Sequence, residues 1–240
     1  MQAHALSRTT RRLMRRRFER NEFMWNPMVE RAAWVVMAAS SALASPALYA
    51  QAQVQAPDVL IKQLSTEVID TVKSDKAIQA GDLAKVHQLV EAKVIPNVNF
   101  QRMTSATVGR YWRSATPEQQ KRLQEEFKAL LLRTYAGALT QVKEHTVSIK
   151  PMRASPGDTE VVVRTEVKGR GDPIQLDYRL ESTASGWKIY DMNVLGVWLV
   201  EQYKNSFAQE INASGIDGLI AKLAERNKAA AAKNASSAKT

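Results

Sequence analysis

Val161-Val162-Val163-Arg164-Thr165-Glu166-Val167-Lys168, followed after the break Gly169 to Pro173 by Ile174-Gln175-Leu176-Asp177-Tyr178-Arg179-Leu180-Glu181, alternates apolar and polar side chains with a period of two. That is the signature of a strand with one buried and one wet face, because successive side chains of an extended backbone point to opposite sides. The same alternation begins upstream at Val147 and Ile149, after His145, and a fourth run extends from Trp187 to Val194. Pro156-Gly157-Asp158, Gly169 to Pro173 and Ser185-Gly186 separate the runs at hairpin spacing. The expectation is a twisted four-stranded antiparallel sheet over about residues 145–195. One of its faces is charged, and the other is aliphatic and needs a cover.

The cover is encoded on both sides of the strands, where the period changes to about 3.6. Leu60, Ile61, Leu64, Val68, Ile69 and Val72 make one apolar stripe on a helix starting near Asp58. Asp82 is placed to cap a second helix carrying Leu83, Val86, Leu89, Val90 and Val94 as far as Pro96. Phe100, Met103 and Val108 mark a short helical piece. Thr116-Pro117-Glu118-Gln119 then reads as a capping box with proline in the first turn. It opens a long helix whose greasy face runs from Leu123 through Phe127 and Leu131 to Val142. After Gly196, Val197, Leu199, Val200, Tyr203 and Phe207 predict another helix ending at Ser214-Gly215, and Asp217 caps a last one bearing Leu219, Ile220 and Leu223. The fold class is therefore α+β.

The chain has 240 residues and no cysteine. That excludes disulfide frameworks, thiolate metal sites and cysteine nucleophiles, and leaves stability to packing. Of the net charge of +10, half lies in residues 1–52, which hold eight arginines against three glutamates. This basic stretch leads into the apolar run Ala32 to Ala44 and the small-residue sites Ala42-Leu43-Ala44 and Ala50-Gln51-Ala52, the pattern of a cleaved export signal. Starts at Met24 or Met28 would each give a signal of more ordinary length. The thirteen residues of this run reach roughly 20 Å, short of a hydrocarbon core of about 30 Å. The expected organisation is a leader at 1–52, a linker at 53–57, a single domain at 58–226 and a disordered tail at 227–240, with the mature chain in the periplasm.

Catalytic constellations are sparse. His87 and His145 are isolated, and there is no metal-binding HExxH, nucleophile elbow, phosphate loop or dinucleotide fingerprint. No metal or organic cofactor is expected. Nucleic acid is an unsuitable partner, since basic and acidic residues interleave beyond the leader. Arg110-Tyr111-Trp112-Arg113 forms a small basic and aromatic cluster, either a core aromatic with snorkelling neighbours or a docking surface. Periodicity does not distinguish a filled core from an apolar cavity, so the residues alone define an exported α+β domain without evident catalytic machinery.

Two groups of motifs add to this. One is Val108-Gly109-Arg110-Tyr111-Trp112-Arg113-Ser114-Ala115-Thr116-Pro117-Glu118-Gln119 with Phe127 and Leu131-Leu132-Arg133-Thr134-Tyr135-Ala136. The other is Asp177-Tyr178-Arg179-Leu180, Gly186-Trp187-Lys188-Ile189-Tyr190-Asp191-Met192, Gly196-Val197, Tyr203 and Gly215-Ile216-Asp217-Gly218-Leu219-Ile220. Together they resemble the MlaC family, the toluene-tolerance auxiliary proteins, over about Asp58 to Glu225. Trp198 stands where many members have serine, and Lys204 where arginine is common. The resemblance implies a periplasmic phospholipid carrier that passes lipid between an outer-membrane lipoprotein/porin complex and an inner-membrane ABC transporter with its substrate-binding ring, preserving outer-membrane asymmetry. It implies a cone similar to nuclear transport factor 2-like folds plus a helical part, with bound phospholipid as cargo; the chain is expected to be monomeric.

Such a cargo has a definite physical requirement. Two acyl chains carry about thirty methylenes, and at roughly 0.8 kcal/mol each their exposure to water costs on the order of 20 kcal/mol. A carrier must enclose them in aliphatic walls that need no hydrogen bonds. Chosen by face, the lining candidates are Tyr135, Leu139, Val142, Val147, Ile149, Val163, Val167, Leu176 and Tyr178. Arg110, Trp112, Arg113, Trp198 and Tyr203 are candidates for the mouth or a partner surface. The alternatives are a small cone-fold enzyme of isomerase or hydratase type, which requires a carboxylate or histidine pointing into the pocket, and a protein-binding adaptor with a filled interior and an exposed apolar patch.

Overall fold

Alternation along the central segment builds a five-stranded antiparallel sheet in simple sequential order: β1 (Thr146–Ile149), β2 (Glu160–Lys168), β3 (Ile174–Thr183), β4 (Gly186–Val194) and β5 (Val197–Trp198). These positions come from a computed structural model in which residues 55–155 and 157–237 are described. The leader, its cleavage sites, Met24 and Met28 lie outside the described residues. Val163 faces Tyr178 across β2 and β3, and Leu176 faces Val194 across β3 and β4, so the aliphatic positions gather on one face. Arg164 faces Asp177 on the other. Among the described residues the sheet stays open: β1 pairs only with β2, and β5 only with β4.

The fifth strand corrects the four-strand expectation. Leu195 and Gly196 both take positive φ, +53° and +89°, and reverse the chain within two residues. Val197 and Trp198 therefore pair back onto Val194 and Asn193 instead of starting the helix. Such a turn matches the twist of the flanking strands, and glycine tolerates its second position readily. At the middle of β4 the register shifts: Arg179 pairs with Asp191 and Leu180 with Ile189, which leaves Tyr190 without a partner residue.

The helices follow their sequence signals closely at their starts. α1 is Pro57–Ser74, and after the short α2 (Lys76–Gln79) α3 (Leu83–Leu89) begins where Asp82 Oδ1 accepts bonds from the N–H groups of Ala84 and Lys85. The second helix does not continue regularly to Pro96. Val90–Val94 widens into a π-helical turn and Ile95–Asn97 tightens into a 3-10 turn, because Pro96 has no N–H to donate and its ring blocks the preceding carbonyl. α4 is Phe100–Val108 and α5 is Pro117–Leu139. The capping box of α5 is complete: the Gln119 N–H donates to Thr116 Oγ1 at 3.2 Å and the Thr116 N–H to Gln119 Oε1 at 3.0 Å.

α6 spans Leu199–Ser237 and is broken at Gly215, whose φ of +74° and ψ of −179° form a combination essentially reserved for glycine. The helix runs well into the stretch 227–240, where composition predicts disorder. Asn227 is buried and donates both to the Glu126 carbonyl, at 2.9 Å, and to Glu126 Oε2, at 2.7 Å. That anchor, followed by alanine and lysine with good helix propensity, carries the helix onward. Among the described residues no helix is long and apolar enough to cross a membrane.

The apolar faces meet in two clusters. One joins α1, α2, α3 and the inner sheet face around Ile61, Val72, Val86, Val163 and Leu180. The other joins α4, α5 and α6 around Leu123, Phe127, Phe207, Ile220 and Leu223.

Candidate functional site

Between the inner sheet face and its helical cover lies a cavity of about 310 Å³. α1 contributes Leu64 and Val68 to its wall, the π-helical turn Val90 and Val94, and α5 Leu131, Tyr135, Ala136, Ala138 and Leu139. The sheet closes the opposite side with Val147, Val167, Leu176, Tyr178, Met192 and Val194. No wall residue is an acid, a base or an amide; the only side-chain hydroxyls belong to Ser65, Tyr135 and Tyr178. No group of three or more histidine or acidic residues suited to a metal occurs among the described residues.

The space is left open by side-chain size. Towards its end α5 carries Ala136, Gly137 and Ala138 in succession, and two of the three lie on the wall. Earlier on the same helix Phe127 stands edge-on to both Tyr203 and Phe207, with ring centroids 5.2 Å apart in each pair, and the interior there is filled. Aromatic rings bury large areas in this geometry, whereas a methyl group leaves the opposite sheet unreached.

Of the nine expected lining residues, Tyr135, Leu139, Val142, Val147, Val167, Leu176 and Tyr178 lie on the wall. Ile149 and Val163 do not. Val163 is fully buried in the cluster formed with α1, and Ile149 packs against that same cluster. They share the sheet face with the wall residues, but they sit in the filled cluster with Ile61 and Val72 of α1. Sequence reasoning missed the wall on the opposite side, including Leu64, Val68 and Val94, and Met192 on the sheet. Their periodicity is plain, but it marks a covered face without saying whether the cover touches it.

None of the five mouth candidates lies on the wall. Tyr203 belongs to the filled cluster, though it adjoins Tyr135, whose phenol is pushed above its ordinary value by burial and then by the neighbouring Tyr203 hydroxyl. Trp198 sits on the outer sheet face beneath the Arg179 guanidinium, 3.9 Å from the ring centroid. Trp112 packs partly against the filled cluster. Arg110 donates to the Tyr111 hydroxyl at 2.7 Å, and that hydroxyl donates to Asn212 Oδ1 at 2.6 Å, which ties the 109–114 turn to α6. Arg110 and Arg113 are exposed.

Tyr178 is the most deeply buried hydroxyl of the wall, and burial pushes its phenol up to about 12. It stays neutral at any physiological pH. The site thus offers an uncharged hydrocarbon surface with isolated hydroxyls, which can dissolve an apolar ligand.

Fold and cavity together define an α+β protein built around an apolar chamber. Residues 62–225 match the model of the family described as MlaC protein, and the chain belongs to that family. Among its relatives, the toluene tolerance protein ttg2D of Pseudomonas putida is 25% identical over 183 residues, which cover 73% of this chain and 85% of that one. The intermembrane phospholipid transport system binding protein MlaC of Haemophilus influenzae is 26% identical over 171 residues, 70% of this chain and 80% of that one. A solved structure, a phospholipid-binding protein from Ralstonia solanacearum in complex with a phospholipid, is 47% identical and superposes with a TM-score of 0.70, covering 72% of this chain and 98% of that chain.

Proposed function

We propose that this chain is a periplasmic phospholipid carrier whose cavity shelters acyl chains while the headgroup remains in water. The observation that carries the reading is the uncharged aliphatic wall, continuous from α1 through α5 to the sheet, in a chain whose 47% identical structural neighbour is described in complex with a phospholipid. The cost of exposing two acyl chains supplies the reason for such a wall, and a wall without a carboxylate or histidine favours a carrier over a cone-fold enzyme. Tyr135, Leu139, Val142, Val147, Val167, Leu176 and Tyr178 are the proposed acyl contacts.

In this reading the basic, apolar leader exports the chain, and the carrier passes lipid between an outer-membrane lipoprotein/porin complex and an inner-membrane ABC transporter with its substrate-binding ring, sustaining outer-membrane asymmetry. The exposed Arg110 and Arg113 are candidate partner contacts. Transfer needs no chemistry within the chain; differences in affinity among partners set its direction.

The test is transfer from vesicles. Delipidated protein mixed with phosphatidylethanolamine and phosphatidylglycerol vesicles carrying a fluorescent phospholipid should remove label into the soluble fraction, saturating near one lipid per chain. Folded protein that leaves all label with the vesicles would refute the reading.

A further inference from the structure

The outer face of the sheet carries a second concavity, of about 330 Å³, separated from the apolar chamber by the sheet itself. Its lining includes three arginines, Arg153, Arg164 and Arg179, together with Tyr190 and Glu160. Arg164 and Arg179 come from adjacent strands and lie diagonally across the register, since Arg164 faces Asp177 and Arg179 faces Val162. Like charges at such spacing repel, and a cross-strand carboxylate ordinarily relieves them.

Here the carboxylate opposite Arg164 is engaged elsewhere. Asp177 is buried and accepts from Gln175 Nε2 at 2.7 Å and from the Thr165 N–H at 3.3 Å. Neither Arg153 nor Arg164 takes part in an ion pair among the described residues. Glu160 is the only acid on the lining, and both its oxygens are occupied: Oε1 by Arg102 at 2.5 Å and Oε2 by the Tyr190 hydroxyl at 2.8 Å. Arg102 lies over the Tyr190 ring, 3.7 Å from its centroid, and also bonds Glu181, so the acidic side of the concavity is compensated from beneath.

Arg179 is held in place. Its Nη1 donates to the buried Asp191 at 2.9 Å, and its guanidinium plane rests on Trp198. Asp191 Oδ1 in turn accepts the N–H groups of Met192 and of Val200 in the first turn of α6, at 2.9 and 3.1 Å. A guanidinium fixed by stacking and by one carboxylate keeps N–H donors for a further acceptor, in the planar fork that suits oxyanions.

We propose that this outer concavity is an oxyanion-binding site, in which a phosphate group is held by Arg164 and Arg153 with Arg179 as the pre-positioned third donor. The volume falls at the small end of the roughly 300–1,000 Å³ typical of small-molecule sites, enough for a phosphate with a short substituent. The site faces away from the acyl chamber, so it is independent of lipid sheltering. Trp198 acquires a role as the platform of Arg179.

The probes are inorganic phosphate and sn-glycerol 3-phosphate, titrated calorimetrically into the full mature chain in low-salt buffer. Saturable binding is expected at one site, weakened at least fivefold by Arg164→Gln and by Arg153→Gln singly and lost in the double variant. Lipid uptake from vesicles should stay at the unsubstituted level in all three. Equal affinity for the two probes identifies a free oxyanion as the ligand, and tighter binding of glycerol phosphate identifies a headgroup-like phosphomonoester; both support the site. No saturable binding of either probe, or binding indifferent to both substitutions in variants with an unchanged Tm, overturns it. Because uptake is read separately, loss of the carrier reading would leave this result standing.

Discussion

One helix, α5, serves two apolar interiors, one filled and one hollow. Around Phe127 it meets α6 through the interlocked rings of Phe127, Tyr203 and Phe207, in a cluster that also takes in Met103 and Val108 of α4, with Leu123 and Phe127 fully buried. A few turns later, at Tyr135 to Leu139, it looks across open space at the sheet. Both regions are apolar, the first packed among helices and the second set between helices and the sheet. Hydrophobic burial drives both faces inward, but whether the facing surfaces touch depends on the volume of a few side chains. Hollowness here is a property of residue size, and it costs the dispersion contacts that a filled interior would gain.

The comparison is broken most severely at the filled end. Phe127→Ala removes a ring that supports both Tyr203 and Phe207, and should cost about 3–5 kcal/mol in denaturant unfolding. Lipid held per folded molecule should be unchanged; a loss of lipid at undiminished stability would mean the ring belongs to the chamber. The next effect is alkaline. Tyr178 is held neutral up to about 12, whereas an unfolded tyrosine ionises near 10. The stabilisation from its raised pKa is therefore fully present below about pH 10 and is lost as pH rises through 12. It amounts to roughly 2–3 kcal/mol at most. Unfolding measured from pH 9 to 12 should show that loss, and Tyr178→Phe should abolish its Tyr178-dependent part.

A matched pair sharpens the contrast on a single structural theme. Val163→Phe forces volume into a place already filled and should cost roughly 1–3 kcal/mol while lipid uptake per folded molecule stays within twofold. Leu139→Trp places volume on the chamber wall and should cost under about 1 kcal/mol while lowering uptake at least fivefold. Reversal of the two patterns would exchange the assignments of core and chamber.

What sequence reasoning reached, and where it stopped, follows the same division. Caps are local events, so Asp82 and the Thr116 to Gln119 box located helix starts from a few residues each. The alternation of β2 and β3 likewise placed the register-bearing faces. β5 escaped because Leu195-Gly196 is a turn whose first residue carries none of the usual turn chemistry, and the two-residue strand that follows is too short to show a period. Val163 and Val167 occupy the same face of β2, two positions apart in the alternation, yet one lies in the filled cluster around Ile61 and Val72 and the other on the chamber wall. No periodicity separates them, since the difference lies in what stands opposite. The arginine concavity was invisible for a related reason: Arg164 and Arg179 read as ordinary wet-face residues until the register sets them side by side.

The central claim is that the chamber is occupied by a phospholipid in the working protein. Mass spectrometry of the intact chain under non-denaturing conditions, after purification from cells without detergent or delipidation, reads this directly. The account predicts a main species heavier than the mature chain by one phospholipid, with the extra mass shifting to bare protein in Leu139→Trp. A main species at the bare mass, from folded protein that also gains nothing after incubation with vesicles, would contradict it.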